Sequence, residues 1–310
     1  MSDVIRHVVD SITPASAAHA EGARQRIAGA GTPILERLAM RLAAAQHRPG
    51  PRVDKRTALI VAGDHGVGDP GLAMGDDHPT IVALRAIDAG TATLSQLARS
   101  ARLPLVLVDA GIREPDRAPA STIRLGHRPT HDLTREPAMT VVDASLALEA
   151  GIALVVALEA PDLLVLGAIG VGAEVSAAAI LGGPLEIDDD VARAAALRER
   201  PRSPLELLAE FGGPETAVLA GAILAAASLN IPIVLDNYAT GAAALVARAF
   251  APHVPGYLIA AHGGSYVHPK MLATLGLSPI FEVGLGHGEG TGAAMIVPMC
   301  DQVAALCARE

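Results

Sequence analysis

Short apolar runs that stop at Gly, Asp or His and then give way to Ala-rich stretches recur along the chain. Ala58 to Ala62 precedes Gly63-Asp64-His65-Gly66, Leu105 to Val108 precedes Asp109-Ala110-Gly111, and Leu163 to Leu166 precedes Gly167. Ile233 to Leu235 leads into Asp236-Asn237, and Tyr257 to Ala261 leads into His262-Gly263-Gly264-Ser265. Uninterrupted apolar runs suit strands buried on both faces, and the Ala-rich stretches supply crossover helices. The alternation therefore predicts an α/β fold with a mostly parallel, Rossmann-like sheet flanked by helices. Open sheets of this kind bind ligands outside the carboxyl ends of their strands, and all five runs place polar or Gly-rich residues at that edge. The segment before Val53 reads as helical, with breaks at Gly29 to Pro33 and at Pro49-Gly50-Pro51. The chain is thus divided into a small helical portion, residues 1–52, and an α/β domain, residues 53–310. Arg113 to Pro137, rich in Pro, Arg, Thr and His, reads as a long loop.

Composition narrows the class. With 310 residues, 51% hydrophobic and 18% charged, the chain has enough apolar surface for one large core, or for a core plus a small appendage. Lys and Arg number 24 against 33 Asp and Glu, giving a formal charge of −9. There is no Lys/Arg run, no Trp, and only three Tyr and three Phe to stack on bases, so no nucleic-acid partner is expected. No window approaches the ~18 uncharged apolar residues of a membrane span, and the Ala-rich Leu219 to Ile233 is interrupted by Ser228 and Asn230. Met1-Ser2-Asp3 lacks a basic start followed by an apolar stretch, so a cytoplasmic protein is expected. Cys300 and Cys307 lie two turns apart on one predicted helix, too far to bridge, and read as free thiols that serve packing.

The densest chemical signal is Gly284-Leu285-Gly286-His287-Gly288-Glu289-Gly290-Thr291-Gly292, running into the apolar Met295 to Met299. Glycines let backbone N–H groups approach an anion, and the helix predicted to follow adds partial positive charge at its N-terminus. A carboxylate in such a setting would be repelled by a bound phosphate. Glu289 is better explained as a base that takes a proton from a second, neutral or cationic substrate. The alternative is a Gly-rich turn carrying a solvated Glu.

The order of the motifs then becomes informative. Ala62-Gly63-Asp64-His65-Gly66-Val67, Val108-Asp109-Ala110-Gly111, Pro137-Ala138-Met139-Thr140, Gly170-Val171-Gly172, Gly212-Gly213 with Gly221 to Ala226, Val234-Leu235-Asp236 and Gly288-Glu289-Gly290-Thr291-Gly292 follow one another in this sequence. Together, over roughly residues 25 to 300, they resemble the nicotinate-nucleotide:dimethylbenzimidazole phosphoribosyltransferase family. The resemblance implies a parallel-sheet α/β domain with a small helical domain, a homodimer, and transfer of the 5-phosphoribosyl group of nicotinate mononucleotide to a ring nitrogen of an aromatic heterocycle. Glu289 falls on the family's catalytic Glu. Gly170, Gly172, His262, Gly263, Gly264 and Ser265 are the expected phosphate and ribose contacts, joined as substrate-binding residues by Asp64, His65, Asp236, Gly288, Gly290, Thr291 and Gly292. Read without the resemblance, each of these glycines is equally a turn residue. Neither a metal nor a cofactor is expected.

Departures from the family pattern bear on the acceptor. Where the family shows Glu-Met-Gly-Ile-Gly-Asn-Thr-Thr, this chain has Ala168-Ile169-Gly170-Val171-Gly172-Ala173-Glu174-Val175, which keeps the glycines and loses the polar residues. A Ser and a Gln of the family's base pocket fall on Ala73 and Val82, and an apolar residue two before the catalytic Glu becomes His287. An unpaired buried hydrogen-bonding group costs about 1–3 kcal/mol, so these exchanges point to an acceptor other than dimethylbenzimidazole. His287 reads either as a pocket residue beside the base or as a histidine satisfying a backbone carbonyl in the Gly loop. The family's phosphate-pairing Lys is missing, which leaves Arg193 or a residue elsewhere. Two other functions stay open. Asp64-His65 and Asp76-Asp77-His78 contain residue types that bind divalent metals, as in a hydrolase. The eroded motifs also suit a non-catalytic nucleotide-binding paralogue or partner subunit. A dinucleotide-dependent dehydrogenase is disfavoured, because Gly167-Ala168-Ile169-Gly170-Val171-Gly172 has the wrong glycine spacing and lies mid-chain.

Overall fold

The computed structural model describes residues 1–29, 32–67, 72–182, 203–264, 267–282, 284–285 and 289–308. Helices α1 (Asp3–Ser11), α2 (Ala17–Ile27) and α3 (Pro33–Ala45) come first. Strand β1 (Arg56–Gly63) is followed by α4 (Pro79–Asp88) and α5 (Thr93–Ser100), and β2 (Leu105–Gly111) by the short β3 (Ile123–Arg124) and α6 (Val141–Ala157). After β4 (Leu163–Ile169) come α7 (Ala173–Leu181), α8 (Pro204–Phe211) and α9 (Pro214–Ser228). The chain continues through β5 (Ile233–Leu235), α10 (Tyr238–Phe250), β6 (Leu258–Ala260), α11 (His268–Leu275) and α12 (Thr291–Cys307).

Among the described residues six strands form one all-parallel sheet in the order β3-β2-β1-β4-β5-β6. The order reverses between β1 and β4, so the carboxyl ends of these two strands flank the crevice where ligands of such sheets bind. Alternate strand residues go to opposite faces. Leu59, Val61, Leu164 and Leu166 enter one core with residues of α6, α9 and α10. Ala58, Ile60, Leu163 and Val165 enter a second core with residues of α3, α4 and α12. The N-terminal helices share these cores: Ile5 joins the first, while Ala23, Ile27, Leu38 and Leu42 join the second.

Beyond the continuation of β2 through Asp109 to Gly111 and of β4 through Gly167 to Ile169, the sheet differs from the sequence reading at two places. The Arg113 to Pro137 segment contains a 3₁₀ turn, Pro115–Arg117, and the edge strand β3, which pairs with Val108 and Asp109 of β2. Both β3 residues are exposed, so no apolar alternation marks them in the sequence. Strand β6 starts at Leu258, because Tyr257 closes a 3₁₀ turn, Val254–Tyr257, and donates its hydroxyl to the Thr13 carbonyl at 2.9 Å. Cys300 and Cys307 are free and buried, and burial pushes the Cys300 thiol up to about 12, consistent with a packing role. No helix among the described residues is long and apolar enough to cross a membrane.

Helices α6 and α9 meet backbone to backbone. A Cβ on Gly151 would overlap the Val218 carbonyl oxygen, and one on Gly221 would overlap the Leu148 carbonyl oxygen. Gly221→Ala is therefore expected to overpack this contact at a cost of about 1–3 kcal/mol and to lower the melting temperature by several degrees in calorimetry.

Candidate functional site

The Glu289 loop hangs from the end of β5. Asp236 and Asn237 follow that strand directly, and Asn237 caps α10 by accepting the Ala239 N–H at 3.2 Å. The Thr240 hydroxyl completes this capping box by accepting the N–H groups of Asp236 and Asn237 at 3.0 and 3.1 Å. With its backbone fixed, the fully buried Asp236 accepts the Gly290 N–H on Oδ2 at 3.0 Å and the Ala293 N–H on Oδ1 at 2.8 Å. The first N–H groups of a helix have no partner within it and carry partial positive charge, so the Asp236 carboxylate both satisfies and neutralises the start of α12. The anion at this helix N-terminus is thus the protein's own. Gly290 precedes the helix at φ +105°, a left-handed conformation that favours glycine. Glu289 is partly buried, and a Cβ on Gly167 of β4 would stand 2.5 Å from its carbonyl oxygen. Thr291 is partly buried, and Gly292 lies so close to the His262 ring that no side chain fits there.

The crevice between β1 and β4 is closed by Asp64. Its Oδ1 accepts the Thr80 hydroxyl at 2.5 Å and the Val171 N–H at 3.1 Å, and its Oδ2 accepts the Arg113 N–H at 2.9 Å. His65 donates its N–H to the Val171 carbonyl at 2.9 Å. A Cβ on Gly170 would overlap the Gly63 carbonyl oxygen, so this loop rests directly on the end of β1. Gly172, at φ +81°, then starts α7. At the next strand end, Asp109 accepts the N–H groups of Gly111 and Ile112 at 2.9 and 3.0 Å, although burial still pushes its carboxyl up.

Beneath the β1 loop lies an ionic contact that the sequence reading missed. His65 Nε2 stands 3.0 Å from Glu215 Oε1, and both side chains are fully buried. Burial pulls the imidazole down, but the Glu215 charge and hydrogen bond outweigh it and raise His65 above its ordinary 6.5. Burial likewise pushes Glu215 up, and the His65 charge outweighs it and lowers the carboxyl below 4.5. Both directions describe an imidazolium–carboxylate pair, with Thr216 donating its hydroxyl to Glu215 at 2.7 Å. The legible signal was Gly212-Gly213-Pro214-Glu215, a carboxylate in the first turn of a helix that begins with proline.

A pair of buried histidines, His262 and His268, lies beside the start of α12. His262 Nε2 lies 3.7 Å from Asp236 Oδ1, and the His262 and His268 rings meet edge to face at 5.9 Å. Burial, then the neighbouring His262, push His268 down to about 4, so it is neutral. Gly263 and Gly264 lie beside this pair; a Cβ on Gly263 would overlap the Glu282 carboxylate, and one on Gly264 would stand 2.5 Å from His268 Nδ1.

The structure therefore gathers Asp64, His65, Gly170, Gly172, Asp236, His262, Gly263, Gly264, Glu289, Gly290, Thr291 and Gly292 at the carboxyl ends of β1, β4, β5 and β6. Asp64, His65 and Asp236 are wholly buried within it, and the bonds above tie loops together. Ala73 is exposed, as is Val82 on α4, at 51%. Ser265, His287, Gly288 and Arg193 lie outside the described residues. Asp76 accepts hydrogen bonds from Arg117 and Arg85 at 2.8 and 2.9 Å, which lower its carboxyl. Among the described residues no group of three or more His, Cys, Asp or Glu side chains is arranged to hold a metal ion.

The His65–Glu215 pair carries a pH signature. The lowered Glu215 contributes stability that is present above pH 4.5 and is lost as pH falls through its folded value. The raised His65 contributes stability that is fully present below pH 6.5 and is lost as pH rises through its folded value. In urea melts the stability gap between wild type and Glu215→Gln is expected to be widest between pH 4.5 and 6.5, at about 3–5 kcal/mol, and to narrow toward alkaline pH.

Comparison with known proteins places this geometry. The phosphoribosyltransferase family described as DBI_PRT matches residues 12–190 and 187–310. The nicotinate-nucleotide–dimethylbenzimidazole phosphoribosyltransferase of Desulforudis audaxviator is 33% identical over 335 residues, covering 98% of this chain and 95% of that protein. Its counterpart in Deinococcus radiodurans is 34% identical over 340 residues, covering 98% and 93%. The crystal structure of the enzyme so named from Thermus thermophilus superposes with a TM-score of 0.84 at 29% identity, covering 94% of this chain and 96% of that one. With 98% of its length matched in sequence and 94% in fold, this chain belongs to the nicotinate-nucleotide–dimethylbenzimidazole phosphoribosyltransferase family.

Proposed function

We propose that the protein moves the 5-phosphoribosyl group of nicotinate mononucleotide to a ring nitrogen of a benzimidazole-like heterocycle, releasing nicotinate, with Glu289 as the general base. The observation that carries this reading is Glu289 itself, set at the carboxyl edge of the sheet by a loop whose two following anchor points, Gly290 and Ala293, are tied to Asp236. The pyridinium of the donor is already cationic, so its bond to ribose C1′ breaks with the electron pair returning to the ring nitrogen, and no acid is required. The acceptor nitrogen forms the new bond to C1′ from the opposite face. As positive charge develops on that ring, its N–H proton passes to the Glu289 carboxylate.

Placement supports a division of labour. Gly170 and Gly172, at the switch point, and His262, Gly263 and Gly264, after β6, take the phosphate and ribose through backbone N–H groups, with Ser265 assigned to the same role by the family resemblance. The exposed Val82 face of α4, with Ala73 before it, takes the acceptor, and the family resemblance adds His287, two residues before the base in sequence. Apolar Ala73 and Val82 favour a base with fewer hydrogen-bonding demands than the family's Ser and Gln would meet. Following the family resemblance, the active unit is a homodimer, expected at twice the chain mass in light scattering, and its product enters cobamide assembly.

Nicotinate release, measured against benzimidazoles, purines and simple azoles, tests the reaction. Release is expected to depend on the acceptor and to fall about 10²–10⁴-fold in Glu289→Gln. Donor binding without release in any mixture would make the chain a non-catalytic nucleotide binder instead. Asp236→Asn replaces one accepting oxygen by an amide that cannot accept, so kcat is expected to drop with a smaller change in KM, alongside a stability loss of about 1–3 kcal/mol.

A further inference from the structure

One buried oxygen atom joins the two sides of the crevice. Asp64 Oδ1 accepts both the Thr80 hydroxyl of α4 and the Val171 N–H of the loop after β4. Thr80 is only 1% exposed, yet Val82, two residues on in the same helix, is 51% exposed. Asp64 Oδ2 accepts the Arg113 N–H, so the carboxylate is held against the β2 loop as well. Val171 is fixed at both ends of its backbone, since its N–H donates to Asp64 and its carbonyl accepts the His65 N–H at 2.9 Å. Gly170, pressed onto the Gly63 carbonyl, leaves this loop no room to close further on β1. A displacement of α4 along the Thr80–Asp64 bond is therefore felt at Val171, and a displacement of the loop is felt at α4. Water does not reach the carboxylate, so none is at hand to replace a donor that moves away.

We propose that Asp64 couples the acceptor and donor subsites: an acceptor held on α4 fixes Thr80 on Oδ1, which fixes Gly170-Val171-Gly172 for the donor, so that each substrate tightens the other. The proposal rests on the functional reading above, in which the Val82 side of α4 meets the acceptor and the glycine loop meets the donor phosphate. Asp64 and Thr80 are positioning residues; the reacting atoms are left to the substrates and Glu289. Because the coupling is a free energy between two sites, the factor by which the acceptor tightens the donor equals the factor by which the donor tightens the acceptor. Ordering one loop in advance is sufficient to produce it, with no large movement.

Initial rates of nicotinate release over a grid of nicotinate mononucleotide and 5,6-dimethylbenzimidazole concentrations test this, with a second grid using unsubstituted benzimidazole. In the wild type the donor KM is expected to fall at least about fivefold between low and saturating acceptor. Thr80→Ser keeps the hydroxyl and is expected to keep this dependence, whereas Thr80→Val is expected to bring the ratio close to one while release continues. A wild-type donor KM that ignores the acceptor would overturn the coupling whatever the variants do. So would a Thr80→Val protein that keeps the wild-type ratio. Absence of nicotinate release from the wild type with every acceptor would remove the functional reading, and the coupling with it; release without interdependence removes the coupling alone.

Discussion

A carboxylate cut off from water must find its hydrogen-bond donors inside the protein, and at the carboxyl edge of this sheet those donors are the backbone N–H groups of neighbouring loops. Asp64, Asp109 and Asp236 follow the same rule at the ends of β1, β2 and β5. Asp109 serves its own turn. Asp64 and Asp236 reach across to other segments, so the loops after β1, β2 and β4, and the start of α12, cannot be placed independently. Removing one of these acids leaves N–H groups buried without an acceptor, a larger penalty than the loss of any one surface contact.

This arrangement explains how a short, glycine-rich sequence such as Glu289-Gly290-Thr291-Gly292 can hold the Glu289 backbone, the base in the function proposed above, in a defined place. The glycines permit the backbone path, and the acid at β5 selects one path among those permitted. Close approaches reinforce the selection from the other side. The Glu289 carbonyl lies over Gly167, and the His262 ring lies over Gly292, so a methyl group at either position would push the loop outward. A base that must sit within hydrogen-bond reach of an acceptor proton depends on that kind of fixed support.

Much of the architecture was legible in the chain. The runs at Ala58, Leu105, Leu163 and Ile233 all mark strands, because a strand buried on both faces has to be apolar throughout; Asp64 and Asp236 follow the ends of theirs, whereas β2 continues through Asp109 to Gly111 and β4 through Gly167 to Ile169. Strand β3 was not legible: it is two exposed residues long and is defined by its pairing with β2 alone. Tyr257 was read into β6 as the first residue of its apolar run, although its hydroxyl is held by Thr13, far away in sequence. Asp64, His65 and Asp236 were expected to bind substrate, whereas the loops that Asp64 and Asp236 hold, and Glu215 as the partner of His65, were not foreseen, since those contacts join residues more than a hundred positions apart in some cases.

By itself the sequence determined the fold class and pointed to a candidate edge of the sheet and a candidate base, because hydrophobic period, strand-ending residues and glycine spacing are local properties of a chain. Only the tertiary structure decided which acids are consumed in holding loops, and that a single oxygen of Asp64 lies between α4 and the glycine loop. The physical reason is that burial and hydrogen-bond partnership are set by which distant segments come together, and an aspartate in isolation carries no mark of whether its oxygens will meet water, a ligand or the backbone of another loop.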